Sequence, residues 1–475
     1  MSKKKETQIR RLTVLEATCL VLMYVVIFLY GSGVLGNPAI KMGISILICS
    51  GLTAIYAILF LGQTWDMIFD AVLKTFNKTM PSVLILLMVG FLSASWLYSG
   101  TTPTLIYYGL KLLNPSIFLF ATFVICLMGA IITGSSWTII GTFGVAFVGI
   151  AQGMGMPITV TAGAIVSGAY LGDKWSPMSD TCNLAAALAE ENVFSLFGHM
   201  IPTSGLSAVL TAVVFLLLGF RYSTVSASTD TVNTLLENIT NCFNINLFLL
   251  LPIVLIVVLS VLRKPIIPLL TVCIVVAMVL GAIFQRESLS AGIAALWDGY
   301  VCNSDNTEFA KLMSGGGLLN TASTVMTMFV AFFFAGVIEI VGVMDVLAKK
   351  LGTLATTRPL VILFTAIVGV GGTFLGSTSY VGVILAVSMF NEIYKEIGLS
   401  KSDLARSALE SAAMSSPMIP WGAANMVILT SLGVNGYEMA PYYYAHWIAL
   451  ALLILYGFTG WFFPKANKNA ESSAN

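Results

Sequence analysis

The chain has 475 residues, of which 57% are hydrophobic and only 9% are charged. Soluble domains carry about a quarter charged residues, so this composition excludes an ordinary soluble protein and indicates a polytopic membrane protein. The net charge of +1 argues against a nucleic-acid partner, and the seven cysteines form no CxxC or Cys/His pattern that would predict a metal or redox cofactor.

The chain opens on a short basic segment that is followed by a long apolar run. Basic residues include Lys3, Lys4, Lys5, Arg10 and Arg11, and the apolar run covers 14–35. This run is too long for the central region of a secretory signal and has no cleavage site. We therefore interpret it as the first membrane span.

Further apolar runs follow along the whole chain. The other runs of the first half cover 43–61, 80–98, 104–113, 116–132, 137–151, 158–170 and 194–220. The runs of the second half cover 245–262, 266–284, 322–343, 360–371, 380–393, 405–413, 426–432 and 443–463. Since a helical span needs about 20 apolar residues, these runs predict an all-α polytopic membrane protein.

The two halves carry similar motifs in the same order. Ser176-Pro177-Met178 recurs as Ser416-Pro417-Met418, Gly134-Ser135-Ser136 as Gly376-Ser377-Thr378, and Trp65-Asp66 as Trp297-Asp298. We therefore predict an internal repeat. The predicted parts are a cytoplasmic N-terminal tail at 1–13, a first repeat at 14–220, a polar connecting loop at 221–244, a second repeat at 245–463 and a cytoplasmic C-terminal tail at 464–475.

Each Gly-Ser segment divides a pair of apolar runs. The second pair, 360–371 with 380–393, looks short for two full spans, which favours a re-entrant hairpin with its tip within the membrane. Each half then has five crossings and one hairpin, and an odd number of crossings inverts the second half relative to the first. This is the inverted-repeat plan of secondary transporters, whose broken helices carry the substrate site.

Lysines and arginines are distributed unevenly among the predicted loops. With the N-terminus inside, the inner loops receive most of them, including Lys74, Lys78, Arg263, Lys264 and Lys395. Cytoplasmic loops of membrane proteins carry such an excess. The pattern therefore predicts that both termini are cytoplasmic.

A polar stretch at 172–183 interrupts the first half where an element of membrane length is expected. It contains Asp173, Lys174, Pro177 and Asp180 together with several hydroxyl groups. Proline removes a backbone donor, and polar groups at membrane depth must be buried in protein or line a wet cavity. We therefore predict an unwound transport helix here; a solvated loop at the membrane edge is the alternative.

Oxygen-bearing side chains in this stretch suit a small hard cation. We predict that Asp173 and Asp180 bind Na⁺, with Ser176, Thr181 and Asn183 as further ligands. Repair of the broken backbone is the alternative role of the neutral side chains. A low-dielectric site favours the protonated acid whereas a bound Na⁺ favours the carboxylate, so proton and cation would compete for the same groups.

The corresponding stretch of the second half has a single carboxylate, Glu410. Glu410 is predicted either to bind the cation or proton, or to pair with Arg406, which lies four residues earlier at helical spacing. Further candidates at the two hairpin tips and the second-half break are Ser135, Ser136, Ser377, Thr378, Ser416 and Asn425. Broken helix ends hold anions and cations in transporters, and close helix packing is the structural alternative for small residues.

These motifs resemble the NhaC family of sodium/proton antiporters. The most specific is 167–185, with Gly172-Asp173-Lys174 and Ser176 to Thr181; the others are 134–138, 151–157, 100–110 and 416–421. The likeness covers nearly the whole chain. It departs in the second half, where 410–414 reads Glu-Ser-Ala-Ala-Met instead of the frequent Glu-Asp-Ser-Gly-Thr, and 422–424 reads Gly-Ala-Ala instead of Asn-Thr-Cys.

The resemblance implies Na⁺/H⁺ exchange across a bacterial cytoplasmic membrane by a homodimer with inverted repeats, two hairpins and an elevator mechanism. It also implies that Asp173, Asp180, Thr181 and Asn183 form the cation site. Because the family includes malate/lactate and amino-acid exchangers, a Na⁺- or H⁺-coupled exchanger of organic acids or amino acids is the alternative, with hairpin serines and Arg406 holding a carboxylate. The expected partners are Na⁺, H⁺, lipid and a second copy; neither enzymatic activity nor a bound cofactor is expected.

Overall fold

The computed structural model of the protein describes residues 10–31, 42–112, 114–223, 229–262 and 264–463. Across these ranges the chain is almost entirely helical, and its only β-pairing is an isolated antiparallel bridge between Tyr300 and Gly315. Among the same residues, 8 helices are long and apolar enough to cross a membrane, or up to 10 if each of two bent pairs forms one span. The predicted all-α polytopic membrane fold is confirmed.

The helices of the first half lead from the N-terminus to the connecting segment. They are α1 (Val14–Gly31), α2 (Met42–Leu61), α3 (Trp65–Ser99), α4 (Thr101–Leu112), α5 (Pro115–Thr133), α6 (Ser136–Gly153), α7 (Ile158–Lys174), α8 (Asp180–Leu188), α9 (Val193–Ser223) and α10 (Thr229–Cys242). Residues 1–9 of the predicted N-terminal tail lie outside the described residues.

The helices of the second half follow in a similar order. They are α11 (Leu251–Val261), α12 (Ile266–Gln285), α13 (Leu289–Asp298), α14 (Thr307–Leu312), α15 (Leu318–Val341), α16 (Val343–Leu354), α17 (Arg358–Gly376), α18 (Ser379–Glu396), α19 (Lys401–Ala408), α20 (Ala423–Leu432), α21 (Gly436–Met439) and α22 (Tyr444–Thr459). The predicted C-terminal tail, 464–475, lies outside the described residues.

Helix α3 begins well before the apolar run at 80–98 that predicted it. The hydroxyl of Thr64 caps its N-terminus, and Asp70 and Lys74 follow at a spacing of four that favours helix. At 1.5 Å per residue, its 35 residues span about 52 Å, whereas the hydrocarbon core is about 30 Å thick. The charged start of α3 therefore projects beyond the hydrocarbon.

The connecting segment at 221–244 differs from the predicted loop, because 229–242 form α10. Val232, Leu235, Leu236 and Ile239 recur at helical spacing, and Ile239 is fully buried while the other three pack against the same core. Because the surrounding residues are Ser, Thr and Asn, the segment is polar on average, and its composition alone predicts a loop.

Two helical pairs meet at the Gly-Ser segments, α5 with α6 and α17 with α18. Helix α17 has 19 residues and α18 has 18, so both are longer than the apolar runs at 360–371 and 380–393. The helix continues past Gly371 to Gly376, and in this part Gly372 packs on the backbone of Gly382, where an added Cβ would approach within 2.9 Å. The lengths of α17 and α18 therefore do not support a re-entrant hairpin, which stays a prediction.

Helix α7 packs against α5 through two glycines four residues apart. A Cβ at Gly168 would lie 2.4 Å from the carbonyl oxygen of Phe123, and one at Gly172 would lie 2.2 Å from that of Leu127. Small residues at this spacing let helix backbones approach closely in membranes. The contact fixes the C-terminal end of α7 against the first helical pair.

Two large apolar cores flank the region where the helices break. One is centred on α5, α6 and α7, and the other on α17, α18 and α19. The broken segment after α7 and the one after α19 both lie between these cores. The fold thus brings the polar stretches of the two halves together.

Candidate functional site

The first break separates α7 from α8. Helix α7 ends at Lys174, the backbone N–H of Ser176 donates to the carbonyl of Asp173 in a turn (3.0 Å), and Ser179 caps α8 by accepting from the N–H of Cys182 (3.3 Å). Pro177, between these turns, has no N–H to continue a helix. The predicted interruption is therefore a real break in the structure.

Asn183 repairs this break. Its side-chain amide donates to the carbonyl oxygens of Pro177 (2.9 Å) and Ser179 (2.8 Å). Ser176 is fully buried, and its hydroxyl accepts from the N–H of Met178 (3.3 Å). Neither residue lines the cavity described below. The contacts of Asn183 and Ser176 are therefore those expected for repair of the broken backbone.

Asp173 is held by the tip of the first helical pair. Its Oδ2 accepts from the backbone N–H of Ser136 (3.0 Å) and from the Ser136 hydroxyl (2.7 Å). Ser135 caps the same helix by accepting from the N–H of Thr138 (3.2 Å). Helix α6 thus directs its N-terminus, with its partial positive charge, at the carboxylate of the break.

Asp173 and Asp180 share one cavity of 420 Å³ that lies between the two breaks. Residues of both halves form its wall. Those among the predicted site residues are Ser135, Ser136, Asp173, Asp180, Thr181, Thr378 and Ser416. The structure adds Trp137, Tyr170, Lys174, Lys264, Ser379 and Tyr380, which the sequence analysis did not select.

The second break, like the first, has an asparagine that donates to the carbonyl of a proline. Asn425 is fully buried, its amide donates to the carbonyl of Pro420 (2.8 Å), and its Oδ1 accepts from the N–H of Gly436. Ser377, at the tip of the second helical pair, accepts at its carbonyl from the N–H of Ala423 (3.0 Å). Asn425 and Ser377 brace the break and do not line the cavity.

Glu410 forms an ion pair with Lys174 across the two halves. The side chains are 0% and 2% exposed. The second carboxylate oxygen, Oε1, accepts from the hydroxyls of Thr203 (2.8 Å) and Ser204. Glu410 lies in a π-turn at Leu409–Ala413, and both hydroxyls lie in the π-turn of α9 at Ile201–Gly205; such turns are frequent at functional sites.

Arg406 has other partners than the predicted Glu410. Its guanidinium lies 3.0 Å from Oδ1 of Asp403, donates to the carbonyls of His199 (2.8 Å) and Phe462 (3.1 Å), and covers the ring of Phe463. It does not line the cavity. Arg406 is therefore not placed to bind the carboxylate of an organic substrate, which was its predicted role in the alternative function.

The arrangement offers oxygen ligands to a cation. Asp173, Asp180 and Thr181 line one cavity, and carboxylate and hydroxyl oxygens suit hard cations. Lys174 was visible in the sequence beside Asp173, but its partner is 236 residues away, beyond the reach of any local spacing rule. Thr203 and Ser204 are harder to predict as site residues, because the sequence shows only two hydroxyl groups inside an apolar run.

Comparison with known proteins connects this chain to transporters. A family model described as the Na⁺/H⁺ antiporter family matches residues 168–461. The chain is 32% identical over 402 residues to a malate-2H⁺/Na⁺-lactate antiporter of Bacillus subtilis, covering 85% of this chain and 86% of that one. It is 30% identical over 423 residues to the Na⁺/H⁺ antiporter NhaC of the same organism, covering 89% and 92%. The solved YdaH transporter of Alcanivorax borkumensis matches with 15% identity and a TM-score of 0.39, over 94% of this chain and 99% of that chain.

Proposed function

Because the chain belongs to the Na⁺/H⁺ antiporter family, we propose that it exchanges Na⁺ for H⁺ through the cavity between its two broken helices. The observation that carries the proposal is the convergence of Asp173, Asp180 and Thr181 on one cavity at the end of α7. Family membership makes the protein a membrane antiporter and not an enzyme. The ion and the residues that bind it are what we propose.

Exchange follows from competition at the two carboxylates. Protons favour the neutral acids in a partly dry site, and Na⁺ favours the ionised form. A site that carries either protons or Na⁺ has its charge compensated, whereas an empty ionised site is costly to move through a low dielectric. Each ion would therefore cross in one direction only in exchange for the other.

The whole molecule would carry out this cycle as an elevator. We propose that the protein is a homodimer in a bacterial cytoplasmic membrane, surrounded by lipid and with both termini in the cytoplasm. The inverted repeats would cover 14–220 and 245–463. Support comes from the similar hydrogen bonding of the two breaks and from the contact of each helical pair with the break of its own half.

The decisive experiment measures Na⁺-driven proton flux in proteoliposomes. We expect Asp180→Asn to abolish the flux, because the neutral amide cannot exchange a proton for a cation. Asp345→Asn is the matched control, since Asp345 is exposed on α16 and does not line the cavity. Full flux in the Asp180→Asn protein would remove Asp180 from the proposed site.

A second function, coupled exchange of organic acids or amino acids, is favoured by the size of the cavity. Its 420 Å³ far exceeds the volume of one ion, since a water molecule occupies about 30 Å³ in the liquid. Thr378 and Ser379 from the second helical pair and Lys264 offer hydrogen bonds and a positive charge. One relative is, by its name, a malate/lactate antiporter.

Ligand screening separates the two functions. Thermal stability of the purified protein would be measured with small carboxylic acids and amino acids, with and without Na⁺. An organic ligand that stabilises the protein only in Na⁺ supports the second function. Stabilisation by Na⁺ alone, with no response to any acid, supports simple Na⁺/H⁺ exchange.

A further inference from the structure

Lys174 is a buried lysine that belongs to the lining of the cavity. It follows Asp173 directly at the end of α7 and lines the same cavity as Asp173 and Asp180. Its side chain is only 2% exposed, so water screens the ammonium poorly. The cavity lining therefore contains two carboxylate residues and one residue with the same sign of charge as a cation.

Glu410 holds this ammonium from the side of the second half. One carboxylate oxygen forms the ion pair with Lys174, and the other accepts from Thr203 and Ser204 of α9. The glutamate is fully buried and does not line the cavity. Both of its oxygens are therefore occupied by Lys174 and the two hydroxyls.

The other buried cation of this region does not share Glu410. Arg406 pairs with Asp403 and lies against Phe463. Glu410 is thus the ion-pair partner of Lys174, and Asp403 is that of Arg406. Such pairing is required, because a buried charge without a partner is strongly unfavourable.

We propose that Glu410 is a positioning residue for Na⁺ binding, and not a Na⁺ ligand: it holds Lys174 away from Asp173 and Asp180 and neutralises its charge. The inference rests on the proposed Na⁺ exchange. Without Glu410, the carboxylates in the same cavity lining as Lys174 are those of Asp173 and Asp180. Lys174 then becomes an internal competitor of Na⁺.

The test compares Glu410→Gln with the double variant Lys174→Met/Glu410→Gln. Binding of ²²Na⁺ to the purified protein gives the half-saturating Na⁺ concentration, and proteoliposome flux gives the maximal rate. We expect Glu410→Gln to raise half-saturation by about tenfold to a hundredfold, the effect of one uncompensated nearby charge. The maximal rate is retained, because enough Na⁺ displaces the ammonium, and the double variant returns half-saturation to within about threefold of the unmodified protein.

Two further variants control for damage to the fold. Asp403→Asn also removes a buried carboxylate from a cation, but away from the cavity; it lowers thermal stability and leaves half-saturation unchanged. Thr203→Ala/Ser204→Ala keeps both charges of the pair and loosens Glu410, so we expect a smaller rise that Lys174→Met reverses. If Glu410→Gln does not fold, the Thr203→Ala/Ser204→Ala variant tests the positioning role of Glu410 in its place.

The outcomes are distinct. The inference is overturned if Glu410→Gln binds Na⁺ like the unmodified protein, if the double variant binds no better than Glu410→Gln, or if Lys174→Met alone weakens binding as much. An unmodified protein that binds no Na⁺ overturns the proposed function itself. A Na⁺ response of the unmodified protein without rescue by Lys174→Met overturns only the role of Glu410.

Discussion

At the scale of single residues, two asparagines stabilise the two breaks by the same kind of contact. Asn183 and Asn425 each donate to the carbonyl of a proline, Pro177 in the first break and Pro420 in the second. Asn425 is fully buried and also accepts from Gly436, whereas Asn183 is exposed. The two breaks are therefore repaired alike but in different surroundings.

This difference predicts unequal costs of substitution. Asn425→Ala leaves the partly buried carbonyl of Pro420 and the buried N–H of Gly436 without partners, so we expect it to destabilise the protein by about 2 kcal/mol or more, since each such group costs about 1–3 kcal/mol. Asn183→Ala leaves the exposed carbonyl of Pro177 to water, while the carbonyl of Ser179 keeps the backbone N–H of residue 183, so it should cost about 1 kcal/mol or less. Thermal unfolding in detergent measures both; equal losses would contradict the assignment of burial.

Residue partners were only partly predictable from the sequence. The break itself follows from Pro177 and from the polar groups around it, because both are incompatible with a lipid-exposed helix. Pairing with Arg406, one of the two alternatives predicted for Glu410, rests on a spacing of four, which brings side chains together in an α-helix. Glu410 lies in a π-turn instead, where the spacing differs, and its partner comes from a distant part of the chain.

At the scale of helices, the contact between α5 and α7 holds the first break in place. Gly172 meets the carbonyl of Leu127 at a distance that leaves no space for a side chain. One residue further along, Asp173 accepts its hydrogen bonds from Ser136. The close packing of the helices and the orientation of the carboxylate are therefore coupled.

Gly172→Ala should consequently disturb both stability and ion binding. A methyl group 2.2 Å from a backbone oxygen forces the helices apart, at a cost of about 1–3 kcal/mol. Gly51→Ala on α2 is the control, since nothing lies within 4 Å of its added Cβ. It should be neutral or stabilising by up to about 1 kcal/mol. Thermal unfolding and Na⁺ binding of both variants check this, and two equal responses would contradict it.

Helix bounds were less predictable than helix existence. Apolar runs report the part of a helix that is buried in lipid or protein, so they missed the charged start of α3 and the glycine-rich end of α17. Helix α10 was missed because its apolar stripe is narrow and lies among polar residues. Periodicity would have found α10, whereas composition did not.

At the scale of the whole molecule, the membrane class and the family were predictable because they rest on composition and on extended motifs. Orientation rests on the distribution of basic residues alone and stays a prediction. In a background with the exposed Cys19 and Cys242 replaced by serine, we expect a cysteine at exposed Asn303, between α13 and α14, to react with an impermeant maleimide on intact cells. A cysteine at exposed Lys395 should react only after permeabilisation; the opposite pattern would place the N-terminus outside.

The hydrogen bonds between Ser136 and Asp173 have a consequence for where Asp173 would carry a proton in the proposed exchange. The backbone N–H of Ser136 can only donate, and it points at Oδ2. A proton on Oδ2 would set two donors against each other, whereas a proton on Oδ1 leaves the contact intact. In the proposed exchange, the tip of the first helical pair would therefore favour protonation of Oδ1 over Oδ2 of Asp173.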